Sequence, residues 1–178
     1  MSVRRPFNIQ KWVEEHRSEL KPPVANRNLY QDAEDFIVMV VAGPNARKDY
    51  HYNETEEWFF QLEGDITVRI QEDGQPVDIP IREGEIFLLP AKTPHSPMRP
   101  AGSIGLVIEA KRREQDMDGL MWFCEKCNAK LHDSYFHLEN IEKDFLPRFK
   151  EYYNSTEMRT CPNCGTIMEA DQRFTDPT

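Results

Sequence analysis

Two groups of side chains in this 178-residue sequence have the types and spacing of metal ligands. His51, Glu57 and His95 supply two imidazoles and one carboxylate. Such donors suit iron, manganese or nickel in open octahedral sites, where one face stays free for substrate and dioxygen. Cys124, Cys127, Cys161 and Cys164 form two Cys-x-x-Cys pairs and are the only cysteines of the chain. Two such pairs place four thiolates around one tetrahedral ion. Four sulfurs close the coordination shell, so this second site is expected to be a structural clip that admits no substrate. Gly165, after the last cysteine, permits the tight turn of a knuckle. His132 is an alternative ligand by type, but it reads first as a surface or packing residue.

Charged residues flank the first group. Arg47 precedes His51 by four positions, Arg99 follows His95 by four, and Glu109 ends the apolar run Ile104 to Ile108. A guanidinium matches a carboxylate geometrically. Two arginines beside a metal therefore predict an anionic ligand, or stabilisation of a reduced oxygen species. The plain alternative makes each charge a solvated edge residue. Glu54 and Glu56 compete with Glu57 as carboxylate ligands and are read as solvated.

Elements that could position these residues follow from the pattern. Asn8 to Leu20 predicts a helix: Asn8 is an N-cap type, and Ile9, Trp12, Val13, His16 and Leu20 share a face. Lys21-Pro22-Pro23 is expected to end it. From Phe36 to Ala110 the pattern changes to short strands with alternating or continuous apolar residues and an Asp73-Gly74 hairpin signal. At least six strands at this spacing predict an antiparallel barrel or sandwich. The charged stretch after Ala110 reads as a linker, and Glu139 to Tyr153 has helical spacing interrupted by Pro147. The expected organisation is 1–35, an N-terminal helix and substrate-proximal loop; 36–110, the barrel; 111–120, a linker; and 121–178, the cysteine segment.

Composition narrows the function classes. The formal charge of −9 and pI of about 5.1 argue against nucleic acid as the main partner. No run approaches the roughly 20 apolar residues of a membrane span. The first residues lack the apolar region of a secretory signal. The chain is therefore expected to be cytoplasmic, where paired cysteines favour metal over disulfides.

The spacing resembles the cupin family. Its first motif runs Gly, five residues, His-x-His, three or four residues, Glu, six residues, Gly. Here His51-Tyr52-Asn53, three residues, Glu57, six residues and Gly64 match the closing half. Seven residues rather than five separate Gly43 from His51, and Asn53 stands where the second histidine belongs. The second motif is matched by Gly84, Pro90-Ala91-Lys92 and His95, with Lys92 and Arg99 in place of the usual Gly and Asn. The missing histidine leaves three ligands and one more open position. The resemblance implies a mainly β cupin jelly-roll barrel with flanking helices.

A narrower resemblance covers nearly the whole chain, from about Phe7 to Gly165. Asn45-Ala46-Arg47-Lys48-Asp49-Tyr50-His51, Glu57-Trp58-Phe59-Phe60-Gln61, Leu88-Leu89-Pro90, His95-Ser96-Pro97-Met98-Arg99 and Val107-Ile108-Glu109 resemble the 3-hydroxyanthranilate 3,4-dioxygenase family. Lys21-Pro22-Pro23-Val24 with Asn26 and both cysteine knuckles also fit. The resemblance implies iron(II) on His51, Glu57 and His95, and 3-hydroxyanthranilate and dioxygen as reactants. It implies substrate contacts from Arg99, Glu109 and Asn26 as well as Glu57, and Arg47 next to dioxygen. Both oxygen atoms would enter an aminocarboxymuconate semialdehyde, which closes to quinolinate, a precursor of NAD. Iron, as in rubredoxin, or zinc at the four cysteines and a homodimer are further implications. The competing readings are a non-catalytic metal cupin with a zinc-ribbon interaction module and a different cupin enzyme. A sugar isomerase would keep the ligand absent at Asn53, and a thiol dioxygenase would use three histidines.

Overall fold

The protein is described by a computed structural model covering residues 3–21, 25–45, 47–139 and 141–176. Helix α1 (Ile9–His16) is followed by β1 (Asn26–Asn28), β2 (Phe36–Ala42), β3 (Tyr50–Tyr52), β4 (Glu57–Glu63), β5 (Ile66–Glu72) and β6 (Gln75–Ile81). Then come β7 (Ile86–Leu89), β8 (His95–Met98), β9 (Ile104–Ala110), β10 (Asp118–Phe123), β11 (Lys130–Phe136), α2 (Ile141–Asn154) and α3 (Thr156–Arg159). One antiparallel sheet has the order β1-β2-β9-β4-β7 and the other β11-β10-β3-β8-β5-β6.

Alternation puts the two sheets face to face. Glu57, Phe59 and Gln61 of β4 are buried while Trp58 between them is exposed, the period-two pattern of a strand with one inner face. Met39, Phe59, Leu89 and Val107 from the first sheet meet Ile66, Val68, Ile70 and Ile81 from the second in one apolar core. The chain is thus mainly β, with two antiparallel sheets packed face to face, within the barrel-or-sandwich class that the strand pattern predicts. Asn8 caps α1 as expected, its Oδ1 accepting from Lys11 N at 2.9 Å. The helix stops at His16, because Glu19 N and Leu20 N turn back to His16 O and Arg17 O. Pro22 and Pro23, expected to end the helix, lie outside the described residues. Val13 and Leu20 cover Val40, Ala42 and Ile104 on the outer face of the first sheet.

The stretch expected as a linker, 111–120, differs from that reading in its second half. Asp118 begins β10, which pairs with β3 on one side and β11 on the other. Pairing satisfies backbone groups of β3 that would otherwise be lost to solvent at the edge. The run Gly119-Leu120-Met121-Trp122 is buried. Two charged residues of the stretch, Arg112 and Asp118, are buried as an ion pair. Beyond β11, α2 lays Phe145, Phe149, Tyr152 and Tyr153 against Leu120, Trp122 and Phe136 in a second core. Trp122 is fully buried, stacked on Tyr152 with ring centroids 4.1 Å apart.

Large aromatic truncations in a core cost about 3–5 kcal/mol. Trp122→Ala is expected to lower the free energy of urea unfolding by about that amount. A loss below about 1 kcal/mol would mean that this second core does not hold the C-terminal segment to the barrel.

Candidate active site

The barrel places His51, Glu57 and His95 together. His51 of β3 is the register partner of His95 in β8. Glu57 opens β4 with its side chain inward, opposite Leu89 and Glu109. One donor atom from each of the three lies within 4.8 Å of the others. Glu56 is exposed, and Glu54 accepts from Met117 N at 2.9 Å, so neither competes for this position. Asn53 Oδ1 accepts from the Thr55 N–H at 3.0 Å and the Thr55 hydroxyl at 2.9 Å. Its carbonyl oxygen therefore builds the turn into β4. Lys92, in the place of the motif's glycine, has φ 64°, and its N–H reaches Asn53 O at 2.7 Å. The left-handed conformation is what glycine serves there; lysine adopts it at a cost of roughly 1–2 kcal/mol.

The electrostatics of the trio ask for a cation. His95 Nδ1 faces the carbonyl of Thr93 at 3.0 Å, an acceptor only, so it carries the proton. A neutral His95 then points a lone pair from Nε2 at Glu57 Oε2, 3.1 Å away. Two acceptors at that distance repel unless a proton or a metal ion lies between them. Burial pushes the His95 pKa down, yet the Glu57 carboxylate outweighs it and raises it. Burial opposes charge on Glu57, but His95 prevails and holds the carboxyl below its usual range. His51 is the opposite case: burial keeps it neutral. The donor set fits a metal ion.

Arg99 follows β8 and is 4% exposed, with Nε and Nη1 lacking any hydrogen-bond partner among the described residues. Burial lowers its pKa to about 10, against the pull of Glu57. Gly105 leaves room for it: a Cβ there would come within 3.3 Å of Arg99 Nη1 and 2.7 Å of Gln61 Oε1. Glu109 is 4% exposed and ion-paired with Arg112. Burial and the neighbouring Glu57 push its carboxyl up to about 7. Arg47 is held by neighbours of the site. Its Nε lies 2.9 Å from Asp49 Oδ1, and its guanidinium sits 5.3 and 5.2 Å from the rings of Phe145 and Phe149. Phe145 also packs on His51, with centroids 5.4 Å apart. Asn26 is exposed on the edge strand β1, and among the described residues no hydrogen bond joins it to the buried group. Sequence reasoning missed Arg112 and Asp118. The signal was the buried-strand pattern that starts directly after Asp118.

The four cysteines also converge. Cys124 Sγ is 3.6 Å from Cys164 Sγ, and Cys127 Sγ is 3.5 Å from Cys161 Sγ. Tetrahedral ligation at the usual metal–sulfur length spaces sulfurs by about 3.8 Å, close to these values. Thr166 hydrogen bonds pull the Cys164 thiol down to about 6, toward the thiolate a metal requires. Cys124→Ser is expected to remove one equivalent of tightly bound metal and lower the unfolding midpoint, while the His51–Glu57–His95 site still loads in protein that stays folded. Metal analysis of the purified variant checks this; unchanged stoichiometry would contradict it.

Comparisons with known proteins show the family. The model of the family described as 3-hydroxyanthranilic acid dioxygenase matches residues 1–153. A 3-hydroxyanthranilate 3,4-dioxygenase from Xanthomonas campestris pv. campestris (strain 8004) is 57% identical over 169 residues, covering 95% of this chain and 95% of that protein. Another from Ruegeria pomeroyi is 51% identical over 162 residues, covering 90% of this chain and 89% of that protein. Among solved structures, a cupin-2 domain containing protein from Shewanella frigidimarina aligns with a TM-score of 0.46 and 19% identity over 58% of this chain and 100% of that one. The chain belongs to the 3-hydroxyanthranilic acid dioxygenase family.

Proposed function

We propose that this protein is an iron(II)-dependent 3-hydroxyanthranilate 3,4-dioxygenase, in which His51, Glu57 and His95 hold the iron. The observation that carries the reading is Arg99. Its Nε and Nη1 are buried and have no hydrogen-bond partner among the described residues, and it lies on the same inner face as His95 and within the field of Glu57. Leaving such a donor unpaired costs several kcal/mol (about 2–7) unless a ligand answers it. The carboxylate of an aromatic acid is a fitting answer, since a guanidinium binds carboxylates through charge-assisted hydrogen bonds.

Iron(II) at the trio would bring ring and dioxygen together and pass electron density between them. The protein residues do the rest. Arg99 anchors the carboxylate and so fixes which edge of the ring faces the metal. Glu109 faces the same interior and accepts hydrogen bonds from the ring's amino and hydroxyl groups. Phe59, edge-on to His95 with centroids 6.2 Å apart, walls the site against water. Arg47, held by Asp49 and by two aromatic rings, presents positive charge on the dioxygen side. The ring opens next to the hydroxyl-bearing carbon, on the side away from the amine. Both atoms of dioxygen enter 2-amino-3-carboxymuconate semialdehyde, which closes to quinolinate. A contact from Asn26 to substrate belongs to this reading only if β1 moves inward. Iron or zinc at the four cysteines serves structure, and a metal-thiolate site suits a reducing, cytoplasmic compartment.

A homodimer is part of this proposal, supported by the first sheet's outer face, where Phe36, Trp58, Ile86 and Leu88 are exposed. An apolar patch rimmed by polar residues marks an interface. We assign its cover to a second copy of the chain. Sedimentation should give twice 20.9 kDa, and Trp58→Asp should shift the species toward monomer; a monomeric wild type would contradict the assignment.

The test of function is anaerobic reconstitution with iron(II), then 3-hydroxyanthranilate and air. Oxygen uptake with loss of substrate absorbance is expected, and no turnover by fully metallated protein would refute the reading. Arg99→Ala should raise KM roughly 10- to 150-fold, from a hydrogen bond to a charged group worth about 1.5–3 kcal/mol, with iron content unchanged. Loss of iron instead would remove Arg99 from the substrate side.

A further inference from the structure

Asp118 and Arg112 lie in a stretch whose sequence gives no hint of chemistry, yet they form the most buried charge cluster next to the donor trio. Asp118 is 0% exposed. Arg112 donates to it twice, from Nε to Oδ1 at 2.9 Å and from Nη2 to Oδ2 at 2.7 Å. The third nitrogen of the same guanidinium, Nη1, binds Glu109. These bonds alone would make Asp118 a staple fastening the strand to the barrel. One further contact exceeds that role: Asp118 Oδ2 lies 2.6 Å from His51 Nε2. The register explains how it arrives there. His51 faces Leu120 across the β3–β10 ladder, and Asp118 stands two residues along on the same side of β10.

A carboxylate is an acceptor only, so a short bond to it fixes the proton on Nε2. The remaining nitrogen, Nδ1, then keeps its lone pair. We infer that Asp118, held in place by Arg112, is a positioning residue that locks His51 in the Nε2–H tautomer and offers Nδ1 to the metal. His95 is arranged the other way round, with its proton held on Nδ1 by Thr93 and Nε2 turned to Glu57. Each imidazole thus has one nitrogen committed to an acceptor and the other free for ligation. Outer partners of this kind orient a ligand ring and raise its basicity, and their loss costs about 10–100-fold in metal affinity. Arg112 extends the arrangement. Through one planar group it fixes both Asp118, which orients His51, and Glu109, which faces the substrate side. A substitution at Arg112 would therefore disturb metal and substrate contacts together. The inference rests on the metal-centre reading of His51, Glu57 and His95.

The test uses full-length protein labelled with nitrogen-15 in histidine, with the cysteine site filled and the trio free of metal. Long-range proton–nitrogen spectra, at a pH where His51 is neutral, report which ring nitrogen carries the proton. The wild type is expected to give the Nε2–H tautomer for His51. A Nδ1–H tautomer overturns the inference, and this reading needs no mutant to fold. In folded Asp118→Asn, the tautomers should mix, and iron(II) affinity measured by chelator competition should fall 10–100-fold. Unchanged affinity in that variant would reduce Asp118 to a staple and refute the positioning role. Both results are independent of turnover. A wild type that shows the locked tautomer but never consumes oxygen would reject the dioxygenase reading alone.

Discussion

The structure depends on two buried acceptor atoms that need a proton or a metal ion between them. His95 Nε2 and Glu57 Oε2 face across 3.1 Å in a buried setting, while Thr93 keeps the imidazole proton on the far nitrogen. Such a contact is unfavourable without a cation between the two atoms, and burial strengthens the demand because water is not there to screen it. The barrel accepts this local conflict because the rest of its interior resolves it: His51 completes a three-donor cavity. On the same side, Nε and Nη1 of Arg99 are buried with no hydrogen-bond partner among the described residues. One position asks for a cation and its neighbour asks for an anion, which together describe a metal with a carboxylate-bearing ligand.

The C-terminal segment, though it carries the more conspicuous motif, acts through packing. Its four sulfurs converge on one point, and α2 lays its aromatic face against β10 and β11. Phe145 of α2 touches His51, and Phe145 and Phe149 together hold the Arg47 guanidinium. Between them runs β10, which donates Asp118 to His51 and Trp122 to the second core. On the proposed reading, a metal at the cysteines stabilises the surface against which His51 and Arg47 are held, while a metal at the trio supplies the chemistry.

Much of this was legible in the sequence because the residues that bear chemistry also bear the spacing. His51, Glu57 and His95 occur at motif intervals, and Asn8, the alternating strands and the cysteine pairs follow local rules that survive in the fold. What escaped was set by pairing between distant strands. Asp118 and Arg112 look like solvated linker charges, since nothing within ten residues of them says that β10 will lie next to β3. Lys92 posed the converse problem: its type argues against a tight turn, yet the Asn53 carbonyl and the loop between two prolines hold it at positive φ. Asn26 shows the limit from the other side, as its motif context suggested the site while its strand places it at an exposed edge.

The central claim is that the trio holds a metal whose open face is directed by Arg99. Crystals loaded anaerobically with iron(II) and 3-hydroxyanthranilate, recorded at the iron absorption edge, address it most directly. The account predicts an anomalous peak among His51, Glu57 and His95, with the substrate carboxylate on Arg99. Iron confined to the four cysteines, or substrate bound with its carboxylate away from Arg99, would contradict it.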